Sequence, residues 1–119
     1  MAYVDGYVLP VPKKNLKEYR RIASLAGKVW RDHGAIDYKE CVGEDLNTGM
    51  GMPFPKLVKP KRGETIVFSF IVFKSRAHRD RVNAKVVKDP RLGKMMKPGA
   101  MPFDVKRMAY GGFTVLVDA

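Results

Sequence analysis

The sequence predicts an α+β fold of four strands and two helices in the order β-α-β-β-α-β. Three observations carry that expectation. One long segment, residues 13–33, has a clean helical period. One strand, residues 65–73, is apolar on both faces. The remaining segments alternate with period two or are broken by Gly and Pro.

Residues 3–11 read as the first strand. Tyr3, Asp5, Tyr7, Leu9 and Val11 fall on one face and Val4, Gly6 and Val8 on the other, with Pro10 and Pro12 closing it. Residues 13–33 read as a helix, because Leu16, Tyr19, Ala23, Ala26, Trp30 and His33 recur at spacings of three and four, and Gly34 supplies a C-cap. Residues 35–43 alternate Ile36, Tyr38, Glu40 and Val42 with Asp37, Lys39, Cys41 and Gly43, a polar alternation suited to an edge strand. Residues 44–62, rich in Gly and Pro, have no period and read as a long loop. Residues 65–73 follow as a central strand with Ser69 as its one polar interior residue. Residues 75–88 read as a second helix with Ser75 as N-cap and a thin stripe of Ala77, Val82, Ala84, Val86 and Val87. Residues 90–102 are irregular, and residues 105–117 read as a last strand in which Gly111 and Gly112 mark a bulge or a close backbone approach.

That order is the ferredoxin-like, or split βαβ, pattern: an antiparallel sheet with both helices on one face. The other sheet face carries large apolar residues and no further layer is available in sequence, so a second copy of the chain is the expected cover, giving a dimeric α/β barrel. At 119 residues the chain is expected to form a single domain, 1–119.

Composition narrows the function classes. The longest strongly apolar run, residues 66–73, is too short to cross a membrane, the N-terminus carries no signal-peptide pattern, and a lone cysteine, Cys41, forms no internal disulfide; these point to the cytoplasm. The formal charge of +11 makes polyanions, RNA among them, candidate partners, and a basic solvated surface with no specific partner is the plainer alternative. The RNA recognition motif shares the element order, but Arg62-Gly63 is followed by Glu64 where an aromatic is needed, so only non-specific phosphate contact through Arg76, Arg79, Arg81, Lys85 and Lys88 stays open. His33 and His78 sit on separate helices and no metal-ligand spacing occurs, so no metal and no cofactor is expected.

Several segments resemble a family of small bacterial proteins of unknown function typified by YbaA. They are Tyr3-Val4-Asp5-Gly6, Glu40-Cys41, Asp89-Pro90-Arg91, and above all Met101-Pro102-Phe103-Asp104 with Lys106-Arg107-Met108 and Tyr110-Gly111-Gly112-Phe113. The resemblance covers essentially the whole chain. It implies the dimeric α/β barrel group, which also holds antibiotic-biosynthesis monooxygenases, haem-degrading enzymes and stress-response dimers, and it implies no activity. Trp30, His33 and the high charge fall outside the family pattern.

Two groups of residues are candidates for a site. Asp5 is a carboxylate on an apolar strand face and needs a cationic or hydrogen-bonding partner if buried. The first and last strands are neighbours in this topology, which suggests a pocket of Asp5, Tyr7, Arg107 and Tyr110 floored by Gly6, Gly111 and Gly112; a structural ion pair is the alternative. The second group is Trp30, His33, Glu40 and Cys41. His33 reads either as a proton shuttle or as a half-buried histidine at a helix C-terminus. Glu40 and Cys41 are strand neighbours and point to opposite faces, so they share no pocket, and Cys41 is expected to be a small buried hydrophobe. Met50, Met52, Met95, Met96 and Met101 with Phe54 and Phe103 either line an adaptable pocket or cover the core. The expected function is a homodimer binding a small molecule between sheet and helices. A polyanion-binding protein, and by fold analogy a cofactor-free monooxygenase or isomerase, are the alternatives.

Overall fold

A computed structural model describes residues 1–93 and 99–119. The elements are β1 (Tyr3–Pro12), α1 (Leu16–Asp32), β2 (Asp37–Val42), α2 (Phe54–Val58), β3 (Glu64–Phe73), α3 (Arg76–Val87), α4 (Pro90–Gly93) and β4 (Ala109–Thr114), with single 3-10 turns before α1 and β4. All strand pairs are antiparallel, in the order β2-β3-β1-β4. The doubly apolar β3 is therefore interior, and the polar β2 is an edge, as the alternation predicts.

The register sorts the side chains. Tyr3, Asp5, Tyr7, Leu9 and Val11 lie opposite Phe73, Ile71, Ser69, Val67 and Thr65. Gly112 and Tyr110 align with Asp5 and Tyr7 on one side; Tyr38, Glu40 and Val42 align with Ile71, Ser69 and Val67 on the other. This face packs under the helices. One core cluster joins Tyr3, Ile71 and Phe73 to Val29 of α1 and Val82 and Val86 of α3. A second joins Leu9, Val11 and Val67 to Tyr19 and Ala23. On the opposite face Phe68 is 45% exposed and Phe113 62% exposed, beside Val4, Val8, Phe70 and Val72. At the other end of that face Pro10 and Ile66 are buried, so the apolar surface left open to solvent is the part around Phe68 and Phe113.

Local chemistry explains the element ends. Gly34, at φ 114°, follows the last turn of α1, and Ala35 N–H donates back to the Trp30 carbonyl. The Ser75 hydroxyl accepts from the His78 N–H and opens α3. The apolar stripe of α1 is broader than its spacing suggests, because Ile22, Gly27 and Val29 are also buried. Only Val82 and Val86 of α3 are buried, so polar contacts must help hold that helix.

Four expectations are corrected. The loop 44–62 contains the five-residue α2, entered after Pro53 and ended by Lys59 in the left-handed region at φ 52°; one and a half turns are too few to show a period. The last strand is shorter than residues 105–117. Val105–Arg107 form a 3-10 turn capped by Asp104, and β4 stops near Thr114 because β1 begins at Tyr3 and offers little beyond an Ala2 carbonyl to Val115 N–H. Gly111-Gly112 makes no bulge: both residues stay in register with Gly6 and Asp5, and the close-approach alternative holds, since a Cβ on Gly112 would overlap the Tyr3 side chain. Cys41 is exposed, not buried, because edge strand β2 turns it to the open face opposite Phe68. Met95 and Met96 lie outside the described residues.

Gly112→Ala should therefore lower stability by about 1–3 kcal/mol, read as a fall in the chemical-denaturation midpoint, and Tyr3→Phe in the same chain should recover part of the loss.

Candidate functional site

Asp5 is completely buried on the helix side of β1. Its cationic partner comes from α3: Arg79 Nη1 donates to Asp5 Oδ1 at 3.1 Å and also to the Tyr110 hydroxyl at 3.0 Å. Asn83 Nδ2 donates to Asp5 Oδ2 at 3.4 Å, and Trp30 Nε1–H donates to Asn83 Oδ1 at 2.9 Å. The guanidinium lies over the Tyr3 ring at 5.0 Å. Tyr110 stacks on Tyr7 at 4.8 Å. Arg79 Nε lies 2.9 Å from Asp80 Oδ1 but off its N–H axis, so that N–H makes no hydrogen bond. Burial pushes the Asp5 carboxyl above its usual 3.8, and Arg79 and Asn83 oppose that shift.

Arg79, and not Arg107, thus joins Asp5 to the Tyr110 hydroxyl. Arg107 instead forms a two-pronged ion pair with Glu64, at 2.7 and 2.8 Å, tying the turn before β4 to the start of β3. Arg79 was missed because one helical turn beyond Ser75 it reads as a solvated base; its position i+4 from Ser75, in line with Asn83, was the available signal. Nor do the glycines floor a cavity at Asp5. Gly112 is filled by Tyr3, while Gly6 and Gly111 face the open side of the sheet. There they border a hollow of about 590 Å³ walled by Val4, Val8, Phe68, Phe70 and Phe113.

Trp30, His33, Glu40 and Cys41 separate into four places. Trp30 supports Asn83. His33 caps α1 and its Nε2 lies 2.8 Å from Asp89 Oδ2, which Arg91 also grips while reaching Asp32 at 2.8 Å. This cluster gives Asp89-Pro90-Arg91 a structural role: it pins α4 to the end of α1, and the Arg91 hydrogen bonds hold the Asp89 carboxyl far below the usual range. Cys41 is on the open face. Glu40 alone reaches a cavity.

That cavity is a groove of about 650 Å³ between α1 and β2, on the helix side of the sheet. Glu40 sits on it with one oxygen accepting from the Tyr19 hydroxyl at 2.7 Å and the other from the Tyr38 hydroxyl at 2.6 Å. Val42, Val67, Leu16 and Ala23 wall it, and Lys17, Arg20 and Ser24 stand along α1. Gly27 is required here, because a Cβ would come within 2.8 Å of the Tyr38 ring. Burial first, and the Glu40 carboxylate second, push both phenols well above their usual pKa, so both stay donors at any ordinary pH. A carboxylate held by two phenols is a preorganised hydrogen-bond acceptor. Of the loop residues read as lining a pocket or covering the core, Phe103 covers the core, packed edge-on to Tyr19 at 5.6 Å, and Met50 and Met52 are exposed. Among the described residues no three His, Cys, Asp or Glu side chains gather in a metal cluster, and no helix is long and apolar enough to cross a membrane.

The fold and groove define an α+β protein with an antiparallel four-stranded sheet, α1 and α3 packed on one face, and a phenol-lined cleft beneath α1. Residues 2–105 match the family described as protein of unknown function (DUF1428), and the chain belongs to that family. It is 39% identical over 118 residues to the uncharacterized protein YbaA of Escherichia coli K12, covering 99% of each chain, and equally so to YbaA of Shigella flexneri. Among solved structures it is similar to the de novo designed protein Foldit4, with a TM-score of 0.50 and 11% identity over 97% of this chain and 99% of that one, a likeness of fold alone.

Arg79→Met should cost about 3–5 kcal/mol, because it leaves the Asp5 carboxylate buried without its cation. The Asp5 shift sets a pH dependence. A folded carboxyl above 3.8 holds its proton where the unfolded one has lost it. Stability relative to Asp5→Asn should therefore rise as pH falls from neutral through the folded value, and level off below about 3.8, in urea titrations of both proteins.

Proposed function

We propose that this protein is a ferredoxin-like homodimer of the dimeric α/β barrel kind that binds a small organic molecule in the groove between α1 and β2. The observation that carries the reading is Glu40, fixed by Tyr19 and Tyr38 on the wall of a groove of about 650 Å³, while the Asp5 corner is filled by its own partners. Binding sites are concave, mostly apolar and furnished with a few placed polar groups, which describes this groove. The strand order β2-β3-β1-β4 with the two long helices α1 and α3 on one face supports the ferredoxin-like description.

The open sheet face supports the second copy as its cover. Phe68, Phe70, Phe113, Val4 and Val8 form a continuous apolar surface around the hollow of about 590 Å³, and charged side chains there are confined to edge strand β2 and the Glu64 end of β3. A cytoplasmic location accords with the lone exposed thiol of Cys41. The formal charge of +11 favours one further reading, attraction of polyanions to the exposed bases Arg76, Arg81, Lys85 and Lys88 of α3.

Thermal-shift screening against a metabolite library should yield ligands whose stabilisation is lost in Ser24→Trp, which fills the groove from its exposed rim; hits that stabilise both proteins equally would place binding elsewhere. In sedimentation at micromolar concentration the protein should run as a dimer and Phe68→Asp/Phe113→Asp as a folded monomer. A wild-type monomer would refute the barrel.

A further inference from the structure

We propose that the groove between α1 and β2 takes an organic acid, its anionic end at Lys17 and Arg20 and its far end donating a hydroxyl or N–H hydrogen bond to Glu40. The inference rests on the groove being the ligand site and adds the class of ligand.

The dimensions come first. The lining positions of α1 run from Leu16 to Gly27, about 16 Å at 1.5 Å per residue. At the Gly27 end the Tyr38 ring lies against the helix backbone and closes the groove. The other end is bounded by Leu16, Val42 and Val67 and flanked by Lys17 and Arg20. On the helix side the small residues Ala23, Ser24 and Gly27 stand beside the larger Leu16 and Tyr19, and on the sheet side Val42 and Val67 adjoin Tyr38 and Glu40.

The polar groups then set the orientation. An ionised carboxylate offers about four lone-pair positions and no proton. Tyr19 and Tyr38 occupy one on each Glu40 oxygen, which leaves acceptor capacity on both. The complement inside the groove is therefore a donor. A second anion there would meet Glu40 at close range, and a body with no donor would strip water from Glu40 without replacing it. At the mouth the sign reverses. Lys17 and Arg20 make no ion pair among the described residues, although Arg21, Arg79, Arg91 and Arg107 each have one. Two unpaired cations toward the Leu16 end and a carboxylate held by Tyr38, whose ring closes the Gly27 end, make the groove electrically polar along its length. A ligand with an anion at one end and a hydroxyl or N–H at the other fits in one direction only.

The test uses three matched probes in titration calorimetry: a hydroxynaphthoate with hydroxyl and carboxylate at opposite ends of the rings, naphthoate without the hydroxyl, and naphthol without the carboxylate. The hydroxynaphthoate should bind roughly tenfold more tightly than either of the others. Glu40→Met should bring hydroxynaphthoate and naphthoate to within about twofold of each other, and Lys17→Gln/Arg20→Gln should do the same for hydroxynaphthoate and naphthol. Equal affinity of wild type for hydroxynaphthoate and naphthoate, or for hydroxynaphthoate and naphthol, overturns the proposed class, and so does an absence of saturable binding. In each of these cases library ligands lost in Ser24→Trp still uphold the groove as the site. Probe binding untouched by Ser24→Trp overturns the groove itself.

Discussion

The fold depends on one buried charge. Asp5 lies in the middle of the first strand, on the face that must be covered by helices, and a carboxylate there is costly unless a cation and hydrogen bonds meet it. The helix that meets it is the one least able to dock by hydrophobic burial. Only Val82 and Val86 of α3 reach the core, so Arg79 and Asn83 supply the remaining anchorage by bonding the two Asp5 oxygens. The same contacts tie in α1 through Trp30 and the edge strand β4 through Tyr110. One buried carboxylate thus ties α3, which hydrophobic patterning alone holds weakly, to β1, α1 and β4.

That arrangement separates structure from chemistry on a single sheet face. The β4 side of the face is spent on Asp5 and its partners, which leave no space. Tyr7 forms the divide, stacked on Tyr110 and packed into both core clusters. On the β2 side a second carboxylate, Glu40, is held by phenols instead of a guanidinium and faces a groove. A guanidinium neutralises a carboxylate; two phenols position it and leave it negative. The first pairing makes a strut and the second leaves a group with capacity to bind.

Where the sequence was legible, a period or a cap made it so. The stripe of α1, the Ser75 cap, the Gly34 stop and the two-faced apolar run of β3 are local signals and each corresponds to an element. Glu40 and Cys41 point to opposite faces as strand geometry demands. Arg107 shows where local reading ends. Two arginines could have met Asp5, and both sit among other bases. The choice between them depends on the register of β4 and on the pitch of α3 over the sheet, and it sends Arg107 to Glu64 and Arg79 to Asp5. His33 likewise reads as part of an apolar stripe, yet it ends in an ionic cluster with Asp89 and Arg91, fifty-odd residues away along the chain.

By itself the sequence determined the α+β class, the interior strand, the two faces of each strand and the membership of a family, because these follow from periods of two and 3.6 residues and from motifs contiguous in the chain. Only the tertiary structure decided which carboxylate is walled in and which is presented. Asp5 and Glu40 are both acids on half-apolar strands, and nothing within a few residues of either distinguishes them. The distinction comes from what lies across the sheet and above it: a guanidinium and an amide from α3 over one, and two tyrosines with a gap beneath Ala23 and Gly27 over the other.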